Sequence, residues 1–300
     1  MTNETSPALT FTWNTPVGWV GRQALTAASY LGGMACLLAA AFRSALRRDA
    51  DPAERVSGQL SWMFAMGLPM VALVHVGLGS FLSMQSYFGG TFVEGTGAVV
   101  GVGLIRNVAP MMACTTLAGL LAARITPELR AKRRGREPLV GERAGFLERT
   151  APGHTPAPRP VEFRADRAVA ARLIAALVTG PVMGLWGSFV GTLVGWQVGH
   201  TLLGVSTHTF FLMFWDMLWA RDVAGVVLKG AAFGLISGLF ACHEGLRGAA
   251  DDDLAAVSSA ACRAACFSAV AILVINSGWF IVFYHAGPAF GPTLLAPPAS

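Results

Sequence analysis

Charged residues are scarce in this sequence. They make up 13% of its 300 residues, and lysine occurs only at positions 132 and 229. Soluble domains usually carry about 25% charged residues. A soluble core does not explain so large a deficit, whereas long uncharged segments do. The shortage of charge therefore argues against an ordinary soluble domain and predicts a chain built largely of membrane-crossing segments.

Several catalytic and metal-binding motifs are also missing from the sequence. Neither lysine lies in the GxxxxGK[ST] motif of P-loop ATPases, no GxSxG motif occurs, and His243 with Glu244 does not begin an HExxH zinc helix. The five cysteines form no CxxC pair, and no basic stripe with interleaved aromatic residues is present. We therefore predict no catalytic residues, no metal, no cofactor and no nucleic-acid partner.

Five segments are apolar and long enough to cross a bilayer as helices. A hydrocarbon core of about 30 Å needs roughly 20 helical residues. The five segments are 60–82, 98–123, 173–199, 223–241 and 264–284. They do not alternate polar with apolar residues as barrel strands do. A sixth segment, 24–42, is ambiguous because it is long enough to span but could also lie in the membrane interface. The sequence thus predicts an all-α integral membrane protein.

The basic residues predict the orientation of these spans. Residues 1–56, 124–172 and 242–263 hold nineteen arginines and lysines, whereas the alternate set of loops holds only Arg221. The positive-inside rule places 1–56 and the Arg/Pro-rich loop 124–172 in the cytoplasm. A transmembrane domain then covers 57–286, and the Pro-rich tail 287–300 lies outside.

Two cations, Arg106 and Lys229, fall inside the predicted spans. At 1.5 Å per residue they lie roughly 12 Å and 9 Å from the outer ends of those spans, so both belong to the outer half of the bilayer. One interpretation is snorkelling with salt bridges to Glu94 and Asp222. The other is a polar site that receives an anionic lipid head group. The two interpretations are compatible.

Other residues inside the spans indicate how the helices pack. His75 is expected to be a neutral side chain that hydrogen-bonds to a neighbouring helix, with a role in a transport pathway as the alternative. The span 173–199 carries glycines at spacings of three and four, which form a stripe where another helix can approach closely. The stripe comprises Gly180, Gly184, Gly187, Gly191 and Gly195. It predicts a tight helix bundle or a dimer.

Several short motifs, taken in order, resemble the MlaE/YrbE permease family, the membrane subunits of ABC transporters that work with MCE proteins. The motifs are Gly-Leu-Ile-Arg-Asn-Val-Ala-Pro at 103–110, Ala118-Gly119, Pro127-Glu128-Leu129, Asp222 with Lys229, Phe233 and Gly234, Cys242-x-x-Gly245-x-Arg247, and Arg263. The resemblance covers about residues 16–286.

The resemblance implies a fold and a set of partners. The fold would be an N-terminal interfacial helix plus five transmembrane helices in the bacterial inner membrane, with a cytoplasmic N-terminus, a periplasmic C-terminus and a second permease copy as partner. A cytoplasmic ABC ATPase would dock on 124–172, a periplasmic MCE-domain protein would cover the outer face, and the substrate would be a phospholipid or another hydrophobic lipid. Arg106 and Lys229 would bind the lipid head group. The structural or gating positions would be Glu94, Asp222, Glu128, His75 and Pro110.

The sequence also departs from the family pattern. Asn107, Leu120 and Arg130 replace a glutamate, an arginine and a glycine of the family motifs, and the coupling-helix stretch is hardly recognisable in 135–145. We therefore expect ATPase docking to be altered. A non-ABC carrier and a transport-inactive subunit of a heteromeric complex remain alternatives, although few intramembrane acids are present for proton coupling. A membrane-embedded acyltransferase lacks a catalytic constellation.

The charge distribution makes a testable prediction about topology. A reporter inserted at residue 140 should be cytoplasmic and one at residue 295 external, because nineteen of the basic residues lie on the first side. Paired phosphatase and fluorescent-protein fusions measure the two compartments. Reporters that give the same compartment at both positions would overturn the five-span topology.

Overall fold

The computed structural model describes residues 16–46, 52–88, 97–133, 165–247 and 253–282. Over these ranges the chain is helical apart from short turns, and no strand occurs. The α-helices are α1 (Pro16–Leu46), α2 (Pro52–Phe88), α3 (Ala109–Arg133), α4 (Ala165–Leu203), α5 (Thr207–Met217), α6 (Ala220–Leu246) and α7 (Leu254–Phe280). Two π-helical segments, Gly97–Val102 and Leu104–Val108, lead into α3. The predicted all-α fold is confirmed.

Six helices in the described ranges are long and apolar enough to cross a membrane, namely all of them except α5. Each of the five predicted spans overlaps one of the six. The helices are longer than the spans, however, and α3 and α4 extend into the predicted loop 124–172, so that only 134–164 separates them. Arg172, which the sequence assigned to this loop, therefore lies in α4 and is buried.

Helix α4 lies at the centre of the bundle, where two of its glycines touch the backbones of neighbouring helices. A Cβ atom on Gly180 would lie 2.0 Å from the carbonyl oxygen of Gly230 in α6. Further along the same stripe of α4, a Cβ on Gly79 in α2 would lie 2.3 Å from the carbonyl oxygen of Gly191. Both distances are far too short for any side chain, so α4 meets α6 and α2 without intervening side chains.

The other glycines of the α4 stripe also face residues of the same chain. Gly187 faces the imidazole of His75, and Gly184 faces Pro110 and Val226. Gly195 faces Val100 in the π-helical segment that precedes α3. The close approach that the glycine stripe predicted thus occurs within one bundle.

Helix α1 contacts α4 and the C-terminal end of α6. The Tyr30 ring packs against Phe240 at 6.2 Å and against Phe267 at 5.6 Å, measured between ring centroids. Gly33 faces the ring of His243. Most other side chains of α1 are exposed. Length and composition allow α1 to cross a membrane, while its contacts through Tyr30 and Gly33 gather at one end of α6.

The contact between α4 and α6 predicts different tolerance at two glycines. Gly180→Ala should lower the apparent unfolding temperature, because the added methyl group meets a backbone oxygen and such overpacking costs about 1–3 kcal/mol. Gly77→Ala is the matched control, because a Cβ at Gly77 meets nothing within 4 Å. Fluorescence-detected size exclusion after heating measures both. Equal unfolding temperatures for the two variants would contradict the contact.

Candidate functional site

Two polar clusters lie at opposite ends of α3 and α6. The first surrounds Asp222 and is called the Asp222 cluster. The second surrounds Glu244 and is called the Glu244 cluster. Twenty-two residues of α6 separate the two carboxylates, which corresponds to about 33 Å along a helix. The clusters are therefore separated by about the thickness of a bilayer core.

In the Asp222 cluster, Arg106 and Asp222 form a two-point ion pair. Arg106 Nε donates to Asp222 Oδ1 at 3.0 Å and Nη2 donates to Oδ2 at 3.1 Å. Nη2 also donates to the Met217 carbonyl at 2.8 Å. The Asp222 side chain is fully buried, while 26% of the Arg106 side chain is exposed. The pair thus joins the segment before α3 to the first turn of α6.

Asp222 has a second structural role at the beginning of α6. Its Oδ2 accepts the backbone N–H of Trp219 at 2.9 Å, which caps the helix. The guanidinium carbons of Arg221 and Arg106 lie 3.7 Å and 5.4 Å from the Trp219 ring centroid. One carboxylate therefore fixes both the helix start and the position of Arg106.

Lys229 is almost completely buried, with 2% of its surface exposed. Its Nζ donates to the carbonyl oxygen of Arg106 and, at 3.5 Å, to Asn276 Oδ1. Arg106 lies in the π-helical segment Leu104–Val108, and Pro110, four residues further on, has no N–H to donate. The ammonium group of Lys229 thus supplies a donor next to the position where proline removes one.

Two asparagines complete the Asp222 cluster, and the site prediction from sequence did not include them. Asn276 in α7 is buried, and its Nδ2 donates to Asn107 Oδ1. In the sequence, Asn107 stands out only because it replaces a glutamate of the family motif. A detectable signal for Asn276 existed, because a carboxamide within an apolar span needs a polar partner. That Asn107 is this partner can be seen only in the folded structure, since 169 residues separate the two asparagines.

The remaining predicted site residues lie in different places. His75 is buried in α2, where Nδ1 contacts the Val71 carbonyl at 2.7 Å and Nε2 contacts the Ala109 carbonyl at 3.3 Å. Pro110 is next to the Asp222 cluster, and Glu94 lies outside the described residues. The structure therefore brings Arg106, Asp222 and Lys229 together, with His75 reaching the first residue of α3.

The Glu244 cluster joins α1, α3, α6 and α7 at the other end of the bundle. The buried Glu244 carboxylate accepts the hydroxyl of Tyr30 at 2.9 Å and the guanidinium of Arg263 at 3.0 and 3.1 Å. Arg130 donates to the backbone carbonyls of Glu244, Arg247 and Ala256 at 2.8–3.4 Å. The cluster thus fixes the N-terminal helix to three helices of the bundle.

Glu128 belongs to a third charged group at the facing ends of α3 and α4. Its Oε1 accepts from the buried Arg172 and from Lys132, whose Nζ lies 3.1 Å away. Arg172 also donates to the Ala168 carbonyl at 2.9 Å. The described residues contain no group of His, Cys, Asp and Glu side chains that could hold a metal ion.

Comparison with known proteins identifies the second half of the bundle. Residues 164–281 match the model of a family described as Permease MlaE. This region is similar to the MlaE permease family. It contains α4 to α7 and therefore Asp222, Lys229, Glu244 and Arg263, whereas Arg106 and Arg130 lie outside the matched residues.

Curated relatives support the same family. A protein of Rickettsia prowazekii is 27% identical over 190 residues, which are 62% of this chain and 67% of the relative. A protein of Rickettsia felis is 26% identical over 229 residues, which are 75% of this chain and 82% of the relative. Both are named probable ABC transporter permease protein. The predicted MlaE/YrbE resemblance is confirmed.

The shared carboxylate of the Asp222 cluster makes a prediction about stability. Asp222→Asn should cost about 2 kcal/mol, because it removes a charge-assisted hydrogen-bond acceptor from Arg106 and weakens the α6 cap. Asp216→Asn is the matched control, since Asp216 is exposed in α5. Thermal unfolding in detergent measures both. If the two variants unfold at the same temperature, the buried Arg106–Asp222 pair does not stabilise this end of the bundle.

Proposed function

We propose that this chain is the membrane subunit of an ABC-type lipid transporter in the bacterial inner membrane. It moves a phospholipid or another hydrophobic lipid to or from a periplasmic MCE-domain protein. A separate cytoplasmic ATPase supplies the energy, since the sequence contains no P-loop motif. The MlaE family match and the apolar helices support this proposal.

The observation that carries the proposal is the charge of the Asp222 cluster. Arg106 pairs with the Asp222 carboxylate, and the ammonium group of Lys229 donates to the Arg106 carbonyl oxygen, so two cations lie together at this end of the bundle. Part of the Arg106 side chain is exposed while Lys229 and Asp222 are buried. A partly exposed guanidinium group at the edge of an apolar bundle attracts an anionic head group, and the low dielectric strengthens that attraction. In the proposal Arg106 contacts the head group and Lys229 supports it through the Arg106 backbone.

The Glu128 group supplies the proposed connection to the ATPase. Glu128 joins the C-terminal part of α3 to Arg172 near the N-terminus of α4. These helix ends flank residues 134–164, which belong to the segment expected to receive the ATPase. An ion pair at this position would couple a movement of the connecting segment to both helices. Two permease copies would then move against each other around a lipid.

The alternative functions differ from this proposal in their partners. A non-ABC carrier needs no ATPase, and a transport-inactive subunit needs a second, different permease. Genes for a P-loop ATPase and for an MCE-domain protein next to the gene for this chain would favour the lipid transporter. Their absence from the neighbourhood, with a proton-dependent transport activity in vesicles, would favour a carrier.

The head-group role of the two cations predicts a loss of transport. Arg106→Gln and Lys229→Met should each reduce ATP-dependent lipid transfer at least tenfold, because the proposed head-group site loses one positive charge. Arg106→Lys should retain part of the transfer, because it keeps the charge. Transfer of fluorescent phospholipid between proteoliposomes and the MCE protein measures the effect.

The control for this experiment is Arg55→Gln, which removes an exposed arginine of α2 far from the Asp222 cluster. Co-purification with the ATPase is measured in parallel, so that a failure of assembly is separated from a failure of transfer. Normal lipid transfer by both Arg106→Gln and Lys229→Met would refute the head-group role and leave these charges with a structural role.

A further inference from the structure

A large open groove lies between α1, α6 and α7, on the side of the Glu244 cluster. Its volume is about 980 Å³, within the usual range of small-molecule sites. One end is polar and contains Arg247, Arg263 and Glu244. The other end is a wall of α7 that includes Phe267, Ala271 and Val274, and it is apolar. The groove is therefore amphipathic along its length.

The polar end carries an excess of positive charge. Three arginines and one glutamate are the charged residues among those that line the groove. Arg130 uses its donors on backbone carbonyls of α6 and α7. Arg263 donates from Nε and Nη2 to the Glu244 carboxylate. Its Nη1 donates only over a long distance of 3.4 Å, to Ser259 Oγ. Donor capacity thus remains on the groove side of Arg263.

Arg247 is the second guanidinium that is available at the groove. Its side chain is exposed, and its guanidinium carbon lies 5.0 Å from the centre of the Tyr30 ring. Tyr30 is itself fixed by its hydrogen bond to Glu244. The Tyr30 ring thus places Arg247 at the Tyr30–Glu244 pair, to which Arg263 also donates, and the ring does not neutralise Arg247. Two neighbouring guanidinium groups form a geometry that recognises phosphate oxygens.

We propose that this groove binds one anionic phospholipid, with its head group on Arg247 and Arg263 and an acyl chain along the apolar wall of α7. The site lies beside Glu244, about 33 Å along α6 from Asp222. It is therefore separate from the head-group site proposed for transport. The inference concerns binding by the permease alone, so its test needs neither the ATPase nor transport.

Charge complementarity favours a lipid over a second copy of the chain as the occupant. A two-fold contact brings the same surface of both copies together. Across this groove it would place Arg247 and Arg263 of one copy near the same arginines of the other, and like charges at an interface repel. An anionic phospholipid instead neutralises the excess charge and covers the apolar wall. Free phosphate would satisfy only the polar end.

The test measures lipids retained by the purified full-length chain in non-ionic detergent. The protein is mixed with phosphatidylglycerol and phosphatidylcholine of identical acyl chains, and native mass spectrometry counts the bound lipids. The wild-type chain should retain phosphatidylglycerol preferentially. Arg247→Gln should reduce that retention about tenfold, because one charge-assisted contact is lost. Arg247→Lys should restore part of it.

Matched variants separate the groove from general surface effects. Arg43→Gln removes an exposed arginine of α1 outside the groove and should leave retention unchanged. Ala271→Trp fills the apolar end and should abolish the preference. Leu273→Trp changes a neighbouring exposed residue of α7 that does not line the groove, and it should have no effect.

Four results would overturn the proposal. They are equal retention of the two lipids by the wild-type chain, equal losses in Arg247→Gln and Arg43→Gln, displacement of phosphatidylglycerol by excess inorganic phosphate, and an Ala271→Trp variant that binds lipid normally but changes from dimer to monomer. The third result would indicate an ion site and the fourth an interface between copies. None of them bears on the transfer assay with Arg106 and Lys229.

Discussion

Inside a bilayer no water replaces a missing hydrogen bond, and this constraint governs the polar side chains of the bundle. Ser83 donates to the Gly195 carbonyl at 2.7 Å and Thr126 to the Ala241 carbonyl at 3.1 Å, each between two helices. Lys229 donates to a carbonyl near the proline of α3. Polar groups of one helix thus find partners on another, and these contacts fix how the helices are placed.

Composition was sufficient to predict the all-α membrane fold, because hydrocarbon thickness and backbone satisfaction leave few alternatives. The same reasoning proposed an ion pair between the outer cations and Asp222, which the structure contains as Arg106 with Asp222. It assigned Arg172 to a loop, because the uncharged apolar segment begins only at Leu173. The structure buries Arg172 against Glu128, and a partner 44 residues away leaves no local signal.

The Glu244 cluster could not be predicted from the sequence for a related reason. Tyr30 lies 214 residues before Glu244, in a segment whose membrane placement was ambiguous. In the sequence, Arg130 is recognisable only as a departure from a family motif, and Arg263 only as a match to one. A buried carboxylate that needs both a tyrosine and an arginine is recognisable only when helices are placed side by side. Long-range polar networks, unlike apolar periodicity, are encoded by single residues far apart in the chain.

The contact of Gly180 with Gly230 is made by backbone atoms alone. Exchanging side chains therefore cannot adjust the separation of α4 and α6 by small steps, since hydrogen is already the smallest substituent. A designer who wished to alter what this protein accepts would have to leave that central pair untouched. The adjustable surfaces are those at the periphery, where α1, α5 and α7 present ordinary side chains whose size and polarity can be varied independently.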